Sequence, residues 1–143
     1  MPGENLVDLY SVAGWFSNDH VPQFKGRPGA FGGYFKKHPN EGGIEGELID
    51  VFGPSTINGS LDGDSLTFVK NYAQRGLGVR SSITYVMRRV EGNKFAGAWS
   101  TEENGDRATE PAECEITLVN NDSYRMITGP VIVPTQNKFN LPA

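Results

Sequence analysis

The sequence is poor in the residue types that build metal sites and disulfides. Its 143 residues contain one cysteine, Cys114, and two histidines, His20 and His38. A single cysteine excludes an internal disulfide, and we expect Cys114 to be a small buried thiol. The two histidines match no metal-binding spacing and lack a cluster of cysteine or carboxylate partners. The sequence therefore predicts neither a metal site nor a cofactor.

Excess positive charge and long apolar runs are also absent. The 13 basic and 17 acidic residues give a net charge of −4, which argues against a sequence-independent nucleic-acid binder with its basic face. No run of 18 apolar residues exists, so we expect no membrane span. The N-terminal residues lack the basic start and apolar stretch of a signal peptide. These features predict a cytoplasmic protein with neither nucleic-acid nor membrane partners.

Several catalytic motifs are missing as well. No Gly-x-Ser-x-Gly elbow occurs, and Arg75-Gly-Leu-Gly78 lacks the lysine and the following helix of a phosphate-binding loop. The acidic segment Thr101–Glu113 shows no calcium-ligand spacing, and we interpret it as a solvated loop.

A repeated glycine pattern organises what is present. The order apolar, x, Gly, x, apolar occurs four times, in Phe31–Phe35, Ile44–Leu48, Ile57–Leu61 and Phe95–Trp99. In a strand these positions share one face, so each repeat places a glycine between two large side chains. A glycine inside a strand costs roughly 0.5–1 kcal/mol relative to alanine. Strand bending or close backbone approach in a small barrel explains why four are kept.

The spacing of turns predicts an all-β fold. Strands are expected at Ala30–Lys37, Gly43–Val51, Ser55–Leu61, Ser65–Tyr72, Ser82–Val90, Lys94–Ser100, Ala112–Val119 and Ser123–Thr128. Short turns between them favour an eight-stranded antiparallel up-and-down barrel, formed by one domain spanning residues 1–143. Residues 1–29 would cover one end, and residues 129–143 would form a C-terminal tail.

The N-terminal segment is ambiguous. Leu6, Leu9, Tyr10 and Ala13 have helical spacing, which favours a short helix within residues 4–18. Val12-Ala-Gly14-Trp-Phe16 is equally a fifth copy of the glycine pattern, which would make the same segment a strand.

The alternation of side chains predicts a polar end in an otherwise apolar barrel interior. The longer loops, Ala73–Ser81 and Thr101–Pro111, fall at the end of the barrel where we expect its mouth. If the glycines face inward, the interior is apolar at the other end. Its polar residues gather at the mouth: Asp50, Ser55, Lys70, Tyr72, Ser81 and Thr101.

The chain resembles the avidin and streptavidin barrels, within the wider calycin group. The resemblance is carried by Ile44–Leu48, Ile57–Leu61, Leu66–Tyr72 and Phe95–Ser100. It implies an eight-stranded barrel that holds a ligand at its open end, often in a homo-oligomer. Avidins close their biotin pocket with several tryptophans, whereas this chain has only two, so biotin binding is not expected.

Three functional hypotheses follow. The first is a protein that binds a small, partly apolar molecule at the mouth through Asp50, Ser55, Lys70, Tyr72, Tyr85 and Trp99. The second is an isomerase, cyclase or lyase using Lys70 or Asp50 for proton transfer. The third is a homo-oligomerising module, with outward Ile49, Val51, Val69 and Val86 and with Val131–Val133 at the interface. A simpler interpretation of Asp50, Lys70 and Tyr72 is a solvated ion pair at the rim, and the simpler interpretation of Tyr85 and Trp99 is core packing.

Overall fold

A computed structural model describes residues 7–73, 82–103 and 106–119 of the chain. These residues form eight strands: β1 (Asp8–Phe16), β2 (Gly29–Lys37), β3 (Gly43–Asp50), β4 (Gly53–Asp62), β5 (Ser65–Tyr72), β6 (Ile83–Glu91), β7 (Lys94–Glu103) and β8 (Asp106–Val119). Each strand pairs antiparallel with the next one, and β8 pairs with β1 to close the barrel. The predicted all-β, up-and-down barrel of eight strands is confirmed, and its shape is consistent with that of calycin barrels.

The N-terminal segment is a strand, so the favoured helix is wrong. Residues Asp8–Phe16 pair along one side with β2 and along the other with β8. Two complete ladders outweigh the local helical spacing, because this strand alone closes the sheet and leaves no open edge. The alternative interpretation, a fifth copy of the glycine pattern, was the right one. The strand predicted at Ser123–Thr128 and the tail 129–143 lie outside the described residues.

The repeated glycines lie where neighbouring strands approach most closely. Gly33, Gly46, Gly59 and Gly97 pair in register with Leu48, Phe35, Phe68 and Met87. A Cβ atom at each of the four glycines would lie only 2.5–2.9 Å from the partner's Cα, and closer still to a backbone carbonyl oxygen. Gly14, in the fifth copy, is crowded in the same way by Glu113 and Cys114. The pattern therefore marks places where neighbouring strands of the closed barrel lie too close together for a side chain.

The apolar side chains predicted to face inward form the core. Phe35, Ile57, Leu66, Met87 and Phe95 are almost completely buried. Cys114 is also buried in this core, and burial raises the pKa of its thiol to about 12. A thiol in such an environment stays protonated and unreactive at neutral pH. Cys114 is therefore the small buried thiol that the sequence predicts.

Short turns close the end of the barrel opposite the mouth. Gly63 and Gly92 lie in the turns after β4 and β6, with φ of 61° and 49°, a backbone conformation that favours glycine. We define the mouth as the other end, where β1, β3, β5 and β7 finish. The loop predicted at Thr101–Pro111 is largely absent, because β7 continues to Glu103 and β8 begins at Asp106. The other predicted mouth loop, Ala73–Ser81, lies outside the described residues except for its first position. Among the described residues, no helix is long and apolar enough to cross a membrane.

Candidate functional site

A buried ion pair lies inside the barrel near the mouth. The Lys70 ammonium is 2.9 Å from Oδ2 of Asp50, and neither side chain has any solvent exposure. The Tyr72 hydroxyl donates a hydrogen bond of 2.7 Å to the same carboxylate oxygen, and Lys70 donates one of 3.2 Å to the Tyr85 hydroxyl. Four of the six residues predicted to form the site, on three different strands, are therefore brought together.

The sheet register places this cluster. Lys70 and Tyr72 are two residues apart on β5, so both point inward, and Lys70 pairs with Ile83 at the start of β6. Asp50 is the last residue of β3, where the chain turns into β4. Its other carboxylate oxygen, Oδ1, accepts a hydrogen bond of 2.8 Å from the Phe52 amide in that turn. The turn thus fixes the carboxylate, which accepts three hydrogen bonds in all.

Aromatic rings surround the ammonium. The Lys70 nitrogen lies 4.9–5.6 Å from the ring centroids of Phe16, Phe31, Tyr72 and Tyr85. At these distances the negative faces of aromatic rings attract a cation, and more strongly when water is excluded. The ammonium is therefore held by one carboxylate and an aromatic box, and not by solvent.

Burial shifts the protonation equilibria of the cluster. Removal from water lowers the pKa of Lys70 below its ordinary value of 10.5, although the Asp50 charge opposes this shift. Burial raises the pKa of Tyr72 and of Tyr85, and the adjacent Asp50 carboxylate raises both further. Both phenols are consequently neutral hydrogen-bond donors throughout the physiological range.

The two other predicted site residues are engaged elsewhere at the same end. The Ser55 hydroxyl donates to the backbone carbonyl of Leu48, at 3.2 Å. The indole N–H of Trp99 donates to the carbonyl of Ser17, at 2.7 Å. Their inward direction is as the alternation indicated, while their part in binding remains a prediction.

A second buried carboxylate, Glu110 on β8, lies at the mouth end of the neighbouring strand pair. Oε1 accepts hydrogen bonds of 2.6 Å from the Ser17 hydroxyl and of 2.6 Å from the Asp19 amide. Oε2 accepts one of 2.8 Å from the His20 amide and also contacts Nδ1 of that imidazole. The His20 ring lies against Trp99, with centroids 5.5 Å apart. Sequence reasoning missed Glu110, because its acidic neighbours suggested a solvated loop.

These contacts tie the segment between β1 and β2 to the mouth. We call residues 17–28 the cover segment; it contains a short 3₁₀ turn, Pro22–Phe24. Phe24 packs edge-on against Phe52, with centroids 5.6 Å apart, and Phe52 contacts Tyr72 and Phe16 at 6.2 and 6.5 Å. We call Phe24 and Phe52 the aromatic layer; it lies between the Lys70 cluster and the end of the barrel.

Acid is expected to weaken the attachment of the cover segment. Burial by itself raises the pKa of Glu110, but the hydrogen bonds from Ser17, His20 and Asp19 lower it below the ordinary value of 4.5. A lowered pKa in the folded state contributes stability above the unfolded-state pKa, and this contribution is lost as the pH falls through the folded-state pKa. We predict that the amide proton shifts of Asp19 and His20 titrate together, with a midpoint below pH 4.5.

An NMR titration between pH 7 and acid tests this prediction, and Glu110→Gln is the control. The variant has no carboxyl group at this position, so the common transition of the two amides should disappear. A midpoint above the ordinary glutamate value, or an unchanged transition in Glu110→Gln, would contradict the assignment.

Below the cover segment the barrel is filled with side chains. Tyr85 stacks on Phe68, with centroids 4.7 Å apart, and meets the edge of Phe31 at 5.8 Å. These rings come from β6, β5 and β2, so they span the interior. A ligand site inside the barrel would therefore lie at or above the level of the Lys70 cluster, near the mouth. Within the described part of the chain, no group of three or more His, Cys, Asp or Glu side chains could hold a metal ion.

Comparison with known proteins adds no assignment to this geometry. No protein-family model matches the chain, and no curated protein matches it significantly.

Proposed function

We propose that the protein is a soluble barrel that binds a small, partly apolar molecule at its mouth, on the Lys70 cluster. The observation that carries this proposal is the position of a buried ion pair at one end of an otherwise apolar interior. A buried ion pair is a poor stabilising device, since apolar residues of similar volume are often as good or better. Its retention beside two buried phenols is more readily explained by recognition of a polar group.

Binding requires the aromatic layer to move. Phe24 and Phe52 are only partly buried, and residues 17–28 have little regular structure apart from one short 3₁₀ turn. Segments with few buried apolar contacts open at low free-energy cost, and such segments commonly cover ligand sites. The cover segment would open to admit the ligand, and its aromatic rings would then pack on the apolar part of that molecule.

Native mass spectrometry of freshly purified protein tests the proposal. We expect an added small mass on the folded protein that disappears under denaturing conditions, where the chain has the mass of its sequence. The wild-type protein should bind the released molecule again, whereas Lys70→Met should bind it at least tenfold more weakly, because the variant lacks the polar anchor. Bare protein that also fails to take up any compound from a small-molecule library would count against a binding function.

An enzyme of the isomerase, cyclase or lyase type is the second candidate. The specific observation in its favour is a desolvated lysine that contacts a carboxylate and a phenol, a combination suited to proton transfer. Turnover of the bound molecule by the wild-type protein, lost in a folded Lys70→Met variant, would distinguish catalysis from binding alone.

Self-association is a further part of the proposal. Ile49 and Val86 are 60% and 53% exposed on the outer face of the barrel, and Val69 is partly buried there. Val51 is 74% exposed in the turn between β3 and β4. Apolar side chains on a barrel surface suit contact with a second copy, as in the avidin barrels that the sequence resembles. The native mass spectrum also gives the oligomer mass, and a strict monomer at every concentration would contradict this part. Val131–Val133 lie outside the described residues. A cytoplasmic location likewise remains a proposal, based on composition.

A further inference from the structure

The Lys70 cluster contains more hydrogen-bond donors than acceptors. Lys70 supplies three N–H groups, and Tyr72 and Tyr85 supply one O–H each. One N–H and the Tyr72 hydroxyl donate to Asp50, and a second N–H donates to the Tyr85 oxygen. The third N–H of Lys70 and the O–H of Tyr85 have no acceptor among the residues that the structure describes.

Both unmatched donors are deeply buried. Lys70 is 0% exposed and Tyr85 is 1% exposed, and Phe16 and Phe31 lie close to the ammonium. A buried donor without an acceptor costs about 1–3 kcal/mol, and for the third N–H of Lys70 the surrounding ring faces offset only part of this cost. Such groups are rare in folded proteins once ordered water is counted, so the two adjacent donors mark a place for an acceptor from outside the barrel.

The spacing of the two donors specifies the group that satisfies them. The Lys70 nitrogen and the Tyr85 oxygen are 3.2 Å apart, so one oxygen atom with two lone pairs can accept from both. A carbonyl oxygen has this property. A ligand hydroxyl would bring a further donor that needs its own acceptor.

Charge balance selects a neutral ligand. The Lys70 and Asp50 charges already cancel within the pair. A carboxylate or phosphate would add an uncompensated negative charge to a site that water does not reach, which is costly. A neutral carbonyl group adds no net charge, and the surrounding rings suit an apolar body.

We infer that the ligand is a neutral, partly apolar carbonyl compound, a ketone, ester or amide, whose oxygen accepts hydrogen bonds from Lys70 and Tyr85. This inference rests on the proposed function, since it names the class of molecule that would bind at the mouth. It makes Tyr85 a residue that discriminates between ligands, although Tyr85 is also part of the packed core.

A matched pair of probes tests the inference. Cyclohexanone and methylenecyclohexane have nearly the same shape, and only the ketone offers an acceptor. Binding of each is followed by NMR, through the Nζ signal of Lys70 and the ring signals of Tyr85. We expect the ketone to bind about tenfold more tightly than the hydrocarbon, the effect of one to two net hydrogen bonds. Cyclohexanecarboxylate should bind more weakly than the ketone.

Variants assign the effect to the donors. Tyr85→Phe removes one of the two donors and keeps the ring, so it should reduce the preference for the ketone to the part that Lys70 provides, while the hydrocarbon binds as before. Tyr34→Phe, on the outer face of β2, is the matched control and should change neither affinity.

The outcomes distinguish a failure of the carbonyl inference from a failure of the proposed binding function. Equal affinities for ketone and hydrocarbon would overturn the carbonyl inference and leave the proposed binding function standing. A preference for the ketone that is unchanged in Tyr85→Phe would overturn it too, as would a water molecule that stays bound to both donors when the ketone binds. If no probe of either kind perturbs the mouth, the carbonyl inference fails and the binding function loses its support as well.

Discussion

Replacing Asp50 by asparagine is expected to destabilise the folded protein by about 3–5 kcal/mol, the usual cost of removing one partner of a buried ion pair. The change keeps the size of the side chain and removes its charge. The Lys70 ammonium would then lie 0% exposed without a counter-charge, and an amide N–H₂ group would face donors from Lys70 or Tyr72. Urea denaturation followed by Trp fluorescence measures the free energy of unfolding.

An exposed ion pair provides the control for this experiment. Asp64 and Arg89 are also 2.9 Å apart, but their side chains are 66% and 33% exposed. Asp64→Asn should cost less than about 1 kcal/mol, as is usual for exposed pairs. The double variant Asp50→Asn/Lys70→Met should recover part of the loss, since an apolar side chain then fills the aromatic box. Equal effects of Asp50→Asn and Asp64→Asn would mean that water reaches the Lys70 cluster.

The pH dependence of the Asp50→Asn variant gives a second test of the same charge. Burial lowers the pKa of Lys70, and loss of Asp50 removes the charge that opposes this shift. With a lowered lysine pKa in the folded state, the unfolded chain binds more protons, so stability rises with pH up to the ordinary lysine value of 10.5. The variant should therefore regain stability between pH 7 and 10 relative to the wild type.

Local patterns were sufficient to predict most of this barrel from its sequence. Strand alternation placed Asp50, Lys70, Tyr72 and Tyr85 inside, because the glycine repeats indicated which face is crowded. Alternation could not show which of these inward side chains are in contact with each other. Contact between Asp50 and Lys70 depends on strands β3 and β5, which are separated by β4, and so on barrel closure.

The predicted N-terminal helix and the predicted acidic loop were wrong because local sequence patterns there conflict with closure of the barrel. The spacing of Leu9, Tyr10 and Ala13 is compatible with a helix, and only the two ladders to β2 and β8 select a strand. Glu110 lies in an acidic stretch with a glycine nearby, a composition typical of loops. In the barrel it faces inward opposite Trp99, and four donors from residues 17–20 satisfy its charge. No pattern along the chain reveals those donors.

Gly59→Ala is expected to destabilise the barrel by about 3 kcal/mol, at the upper end of the cost of overpacking. The added Cβ would lie 2.5 Å from the Cα of Phe68 and 2.7 Å from its Cβ. Neither atom belongs to the far end of a flexible side chain, so relief requires β4 and β5 to separate. The two strands would lose hydrogen bonds close to Lys70, which lies two residues from Phe68 on β5. The measurement is again the free energy of unfolding in urea.

Gly43→Ala separates this crowding from the general effect of replacing glycine. Gly43 is also in a strand, but its added Cβ would meet nothing nearer than 4.0 Å. Alanine restricts the unfolded chain more than glycine does, so this variant should be neutral or more stable by up to about 1 kcal/mol. Opposite signs for the two substitutions would show that the repeated glycines are required by strand contact and not by turn formation. Similar losses in both would mean that the close approach of β4 and β5 does not explain the pattern, and the steric account of barrel closure would fail.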